Sequence, residues 1–315
     1  MRRPTRPGLV NWLFHSRRWR ESKTAMREGY AAPVITHRRR NPTSRRDLLG
    51  ALLKGRDPDT GEALRESQIV DEVVTMPIGS STAPCALASA LYFLCKNREC
   101  FVKARKEVDE VLGPWVGGAG GGEENTDDDE EDDEEEEEEE DVQMTAEQLG
   151  RLSYIEGVVR ETLRLSAAAP GFNIEPIPRT TAAGDVDTAP VLLGGGKYAV
   201  THDQAMIIVL AGVNTDPSVF DDPLSFRPER MMREALEALP AGVKKWFGNG
   251  RRECIGKNWA WMFMVTVLAV LVRRCDFEMV DEEGWTWKQD GWFNIRPVGL
   301  RMKVTRRKAA TAAAA

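Results

Sequence analysis

Apolar residues return every three or four positions through the first half of the chain, and that spacing predicts helices. In residues 1–46, Trp12, Leu13, Phe14 and Trp19 alternate with basic residues, which predicts one or two helices with a basic face. Asp47–Lys54 reads as a short amphipathic helix, and Gly55–Gly61 carries turn residues at nearly every position. Glu66 or Ser67 opens a long helical segment to Cys95, which Pro77 and Pro84 interrupt. Phe101, Ala104, Arg105, Val108, Val111 and Leu112 form one face of a helix over Glu99–Leu112, and helical spacing returns from Thr145 to Ser166. From Ala167 the texture changes: prolines and glycines punctuate short β-prone pieces, notably Lys197–Val200 and Met206–Leu210. Residues 233–237 make one more helical turn, a continuous apolar run spans Trp259–Val272, and Phe277–Val280 and Leu300–Val304 read as closing strands. The expected class is mainly α with a small β-sheet.

Charge and cysteine content narrow this picture. The net charge of −7 conceals a basic body, because Glu123–Asp141 alone holds seventeen of the 50 carboxylates against 43 basic residues in all. Residues 114–141, Gly-rich and then acidic, cannot form a core and are expected to be a disordered insert. A basic body fits nucleic acid or the docking of an acidic partner. The five cysteines are odd in number and lack a C-x-x-C pair, which argues for a reducing, cytoplasmic setting rather than a disulfide framework. The longest apolar run is too short for a bilayer, and no secretory signal is visible. Residues 306–315, basic and then poly-Ala, are expected to fray.

One stretch carries most of the chemistry. Residues 247–256 read Phe-Gly-Asn-Gly-Arg-Arg-Glu-Cys-Ile-Gly and lead into the apolar helix. A cysteine before a helix N-terminus gains from the unpaired N–H groups there, which favour its thiolate. Gly250 and Gly256 are expected to supply turns and close approach that a Cβ would block, and Arg252 has the fork to bind a carboxylate such as a haem propionate. Taken alone, Cys254 reads equally as a small buried apolar residue. Upstream, Glu161 and Arg164 are three apart on one helix face, and Phe226-Arg-Pro-Glu-Arg-Met231 follows them. His15, His37 and His202 show no metal-ligand spacing.

The pattern Phe247-x-x-Gly250-x-Arg252-x-Cys254-x-Gly256 resembles the haem-binding loop of the cytochromes P450. The order of Glu161-x-x-Arg164, then Pro228-Glu-Arg230, then the cysteine loop is similar to that family as well. The resemblance implies a P450 fold, Cys254 as the thiolate ligand of haem iron, and Phe247, Arg252, Gly250 and Gly256 around the haem. It also implies a buried structural triad of Glu161, Arg164 and Arg230. Ile78-Gly-Ser-Ser-Thr82 stands where the family has A-G-x-(acid)-T, so Thr82 is the implied proton-delivery residue, with Ser81 in place of the usual acid. Asp57–Gly61, Leu163–Phe172 and Leu193–Tyr198 resemble the soluble fatty-acid hydroxylases fused to a diflavin reductase. This implies oxidation of a fatty acid or other lipophilic molecule using O2, with electrons from NADPH through FAD and FMN, and no nucleic-acid partner. Residues 1–305 are expected to be the C-terminal part of the haem domain, lacking its N-terminal half. A catalytically degenerate relative and a non-catalytic acidic-loop interaction protein are the rival expectations.

Overall fold

The computed structural model describes residues 8–115, 144–180, 183–250, 253–291 and 294–308, with side chains from residue 16 onward except residue 78. Residues 116–143 of the expected insert, Arg252 and residues 309–315 lie outside them. The chain divides into two compact units, 1–81 and 82–315.

The first unit is helical. Helix α1 (Gly8–Thr24), a π-helical segment (Ala25–Ala31) and α2 (Ala32–Arg40) follow without a break. Pro33 has no N–H for the carbonyl of Gly29, which accounts for the changed hydrogen-bond register just before it. Helices α3 (Leu48–Lys54) and α4 (Glu66–Gly79) complete the unit. Ala31, Ile35, Ile69, Val70 and Val73 form its core, flanked by Leu49, Leu52 and Leu53. Asp47 caps α3 by accepting the Gly50 N–H at 2.8 Å, and Arg38 grips the same carboxylate at 2.8 and 2.7 Å.

The second unit begins with α5 (Thr82–Lys96), α6 (Arg98–Leu112), α7 (Ala146–Arg151) and α8 (Ser153–Leu165). The expected long helix is broken at Ser80–Ser81, not at either proline. Pro84 falls in the first turn of α5, where its missing N–H would have no partner anyway, so it does not interrupt that helix. Short α9 (Leu210–Asn214), a 3-10 turn (Pro228–Met231) and α10 (Arg233–Ala238) lead toward α11 (Lys257–Arg274).

Ten short strands among the described residues pair as five antiparallel two-stranded ribbons, the small β component of the mainly α class expected from sequence. In chain order they are β1 (Gly171–Ile174), β2 (Arg179–Thr180), β3 (Val186–Asp187), β4 (Val191–Leu193), β5 (Tyr198–Val200), β6 (Met206–Val209), β7 (Cys275–Met279), β8 (Gln289–Asp290), β9 (Arg296–Pro297) and β10 (Met302–Arg306). β1 pairs with β6, with Gly171 opposite Val209, and β7 with β10, with Met279 opposite Met302. The main core joins Ala86, Leu87 and Leu94 of α5, Phe101 and Val108 of α6, Ile155 and Val158 of α8, and Val265, Leu268 and Val272 of α11.

Two expected boundaries move. Trp115 is buried and donates its indole N–H to the carbonyl of Arg307, so the fold continues past residue 114. Arg306 lies in β10, and Arg307 holds Asp109 through two hydrogen bonds of 2.9 and 2.7 Å, so the start of the expected tail is packed. The stretch 66–96 is long and apolar enough to span a bilayer by composition, contrary to the sequence expectation. Its helix is nevertheless broken at 80–81, and its α5 half contributes to the core.

Candidate haem-thiolate site

The cysteine loop is closed by its own backbone. Cys254 N–H donates to the carbonyl of Phe247 at 2.8 Å, Glu253 N–H to Gly250 at 3.0 Å, and Lys257 N–H to the carbonyl of Cys254 at 3.2 Å. Two glycines make the reversal possible: Gly248 has φ 84° and Gly250 φ 60°, a region side chains rarely enter. Gly256 does not share that role. It caps α11 at φ −86°, ordinary backbone, but a Cβ there would lie 3.9 Å from Cys254 Sγ. Its missing side chain therefore leaves space beside the sulfur.

Cys254 is the one exposed cysteine of the five. Burial pushes the thiols of Cys85, Cys100 and Cys275 above their ordinary value, and that of Cys95 up to about 11. Ile255, just before α11, and Trp259 and Met262 on it follow the exposed sulfur and are 70%, 55% and 54% exposed. Trp259 stacks on Phe263 with ring centroids 5.0 Å apart. A soft sulfur donor beside uncovered apolar side chains fits a flat, largely apolar metal cofactor such as haem. No cluster of three or more His, Cys, Asp or Glu side chains able to hold a metal ion occurs among the described residues. His202 is half-buried, with Nε2 3.1 Å from the carbonyl of Ala189.

Glu161 and Arg164 have no solvent exposure. Arg164 Nε and Nη2 donate to the two Glu161 oxygens, both at 2.8 Å. The same guanidinium donates to the carbonyls of Asn214 (2.9 Å), Pro223 (2.6 Å) and Ser225 (3.1 Å), and lies over Phe220. Glu161 also accepts the Arg227 N–H at 2.9 Å. This pair is fully hydrogen-bonded, the condition on which a buried ion pair is tolerated. Arg230 joins less closely: Nε is 3.4 Å from Glu161 Oε1, while Nη1 and Nη2 bind the carbonyls of Asp221 (2.7 Å) and Asp222 (3.3 Å).

Several contributors carry no local signal in the sequence. Leu152, the N-cap of α8, offers no capping side chain. Glu107 of α6 takes that role, accepting the N–H groups of Tyr154 and Ile155 at 2.7 and 2.9 Å and the Ser153 hydroxyl at 3.1 Å. Lys103 and the Tyr154 hydroxyl both donate to Glu229 Oε1, at 2.7 and 3.2 Å. Burial pushes the Tyr154 phenol far above its ordinary value, helped by Cys100 and Glu229, so the hydroxyl remains a donor. Burial also works to raise the Glu229 carboxyl, but Lys103, the turn's own N–H and Tyr154 together outweigh it and hold the group below its ordinary value.

Thr82 and the cysteine loop stand just before or at the starts of α5 and α11, two helices that share the main core. Thr82 is half-buried. A cavity of about 290 Å3 opens beside the loop, lined by Lys244, Trp246, Phe247, Glu253, Lys257 and Trp261 among others. A larger one of about 470 Å3 along α6 shares no residue with the loop.

The chain matches known proteins in sequence and in fold. A family model described as cytochrome P450 matches residues 5–303. The chain belongs to the cytochrome P450 family. It is 33% identical over 310 residues, 97% of this chain and 25% of the relative, to a bifunctional cytochrome P450/NADPH–P450 reductase of Aspergillus oryzae. It is 35% identical over 283 residues, 89% of this chain and 23% of the relative, to a self-sufficient cytochrome P450 monooxygenase of Phanerodontia chrysosporium. The crystal structure of a cytochrome P450, CYP102L1, superposes with a TM-score of 0.74 at 26% identity, covering 93% of this chain and 58% of that one. This P450 chain thus spans about a quarter of the curated relatives it matches.

Proposed function

We propose that this P450 chain binds haem through the Cys254 thiolate and serves a monooxygenase that oxidises a fatty acid or another lipophilic molecule with O2. The observation that carries the reading is the exposed Cys254 on a loop closed by glycines and followed by uncovered apolar residues. When bound, haem supplies the iron at which dioxygen is activated, and the thiolate pushes electron density toward that iron. Phe247 holds the cysteine through its carbonyl, and Gly256 keeps the space beside the sulfur free. Arg252 is assigned to a propionate and Thr82 to holding a proton on the opposite helix; both assignments rest on the family resemblance. Ser81 in place of an acid leaves Thr82 as the proton-handling side chain.

Electrons are assigned to NADPH through an FAD- and FMN-containing reductase. Relatives that carry such a reductase in the same polypeptide support this. So does the cavity beside the loop, where Arg160, Lys244 and Lys257 face a single acid, Glu253, as suits an acidic partner surface. Five unpaired cysteines suit a cytoplasmic setting.

The test is reconstitution of the chain with haem, reduction and addition of carbon monoxide. Cys254→Ala should abolish the thiolate-type Soret shift, while Ala at Cys85, Cys95, Cys100 or Cys275 should leave it. A shift that survives in Cys254→Ala overturns the assignment.

A further inference from the structure

Helix α6 carries Cys100, Lys103 and Glu107 at intervals of three and four residues, along one face. That face meets two elements at once. Glu107 caps the start of α8 through the Tyr154 and Ile155 N–H groups. Lys103 reaches Glu229 on the Pro228–Met231 turn, and the Tyr154 hydroxyl reaches the same oxygen. Tyr154 is therefore bound at both ends, by its backbone to α6 and by its side chain to the residue that precedes Arg230. The turn lies flush on α8 because Gly157 has no side chain: a Cβ there would stand 2.7 Å from the carbonyl oxygen of Pro228.

Arg230 cannot locate this turn by itself. Its Nε, 3.4 Å from Glu161, is buried without a hydrogen bond, and its other nitrogens hold backbone carbonyls of residues 221 and 222. An ion pair lacking a directed hydrogen bond tolerates displacement, so its geometry must be imposed from outside. We propose that Tyr154, Lys103 and Glu107 are positioning residues for Arg230. They fix the Pro228–Met231 turn against the first turns of α8 and keep Arg230 within reach of buried Glu161. The consequence for haem ligation rests on the haem-thiolate reading, because the segment that begins at this turn leads to the Cys254 loop; the bracing does not.

Two readouts test this on the full chain. The first is the ratio of thiolate-type to other ferrous–CO absorbance after haem reconstitution, measured well below each variant's melting temperature. The second, on protein without haem, is hydrogen exchange at the Arg227 amide, which is bonded to Glu161. Tyr154→Phe removes a part-buried bond to a carboxylate and should lower the ratio and speed the exchange by roughly three- to tenfold. Lys103→Met, which breaks a half-exposed ion pair, should act in the same direction by up to about fivefold. Lys103→Arg should restore both. In an Arg230→Gln background, Tyr154→Phe should lower the ratio no further; a full additional loss would show that Tyr154 acts elsewhere and overturn the proposal. If Cys254→Ala abolishes the thiolate signature but Tyr154→Phe and Lys103→Met change neither readout, the positioning role fails and the haem reading stands. If Cys254→Ala leaves the signature intact, the haem reading fails and the exchange rates alone decide the positioning role.

Discussion

At the scale of single residues, burial decides which pairs matter. Glu161 and Arg164 bond each other and four backbone groups away from water. Replacing either by Ala leaves the partner's charge stranded, and we expect a loss of about 3–5 kcal/mol in the unfolding free energy, read from urea midpoints. Arg164→Lys should also lose most of that stability, since an ammonium has no fork to span both carboxylate oxygens. Gly157→Ala sets two effects against each other. Ala is the better helix former by up to about 1 kcal/mol, but its Cβ would meet backbone at 2.7 Å. Overpacking costs of about 1–3 kcal/mol prevail, so the variant should melt lower. Glu161 and Arg164 could be read in the sequence because their spacing is local. Glu107 could not, since its partner Ile155 is 48 residues away and only the folded chain brings them together.

Elements were legible where an apolar stripe had room to repeat. The helix over α6 was placed within a residue at its start, and its buried Phe101, Ala104 and Val108 are the face the spacing predicted. The break before α5 was misplaced because prolines draw attention, whereas the first turn of a helix accommodates one at little cost. The ribbons were only partly legible, since two- and three-residue strands are too short to show alternation. Asp47 offers a pH test at this scale. Its carboxyl is held well below the ordinary aspartate value of 3.8, first by the Arg38 guanidinium and then by the Gly50 N–H, against a smaller cost of burial. A depressed acid stabilises the fold at all pH values above its unfolded pKa, and that stabilisation disappears as pH falls through the folded value. Asp47→Asn should therefore melt below the parent at neutral pH, and the gap should close as pH drops below about 4, followed by circular dichroism.

At the scale of the whole molecule, the sequence showed a helical chain but not its division at residue 81. The Gly79-Ser80-Ser81 that marks that point is brief and lies between two apolar helices. Among the described residues the five ribbons leave outer strand edges without partners, and on β6 Ile207 and Val209 share one face at 66% and 56% exposure. Unpaired edges beside apolar side chains invite association. The chain should self-associate with rising concentration in light scattering, and Ile207→Lys with Val209→Lys should suppress this without lowering the melting temperature. The bond from Glu107 to the start of α8 has a different reach. It makes the position of α8 independent of the length of chain that runs between residues 115 and 144, because α6 grips the first turn of α8 directly. That interval is therefore a place where the gene can grow or shrink without moving Glu161, and changes in its length are expected to be far better tolerated than any change in the thirteen residues of α8 itself.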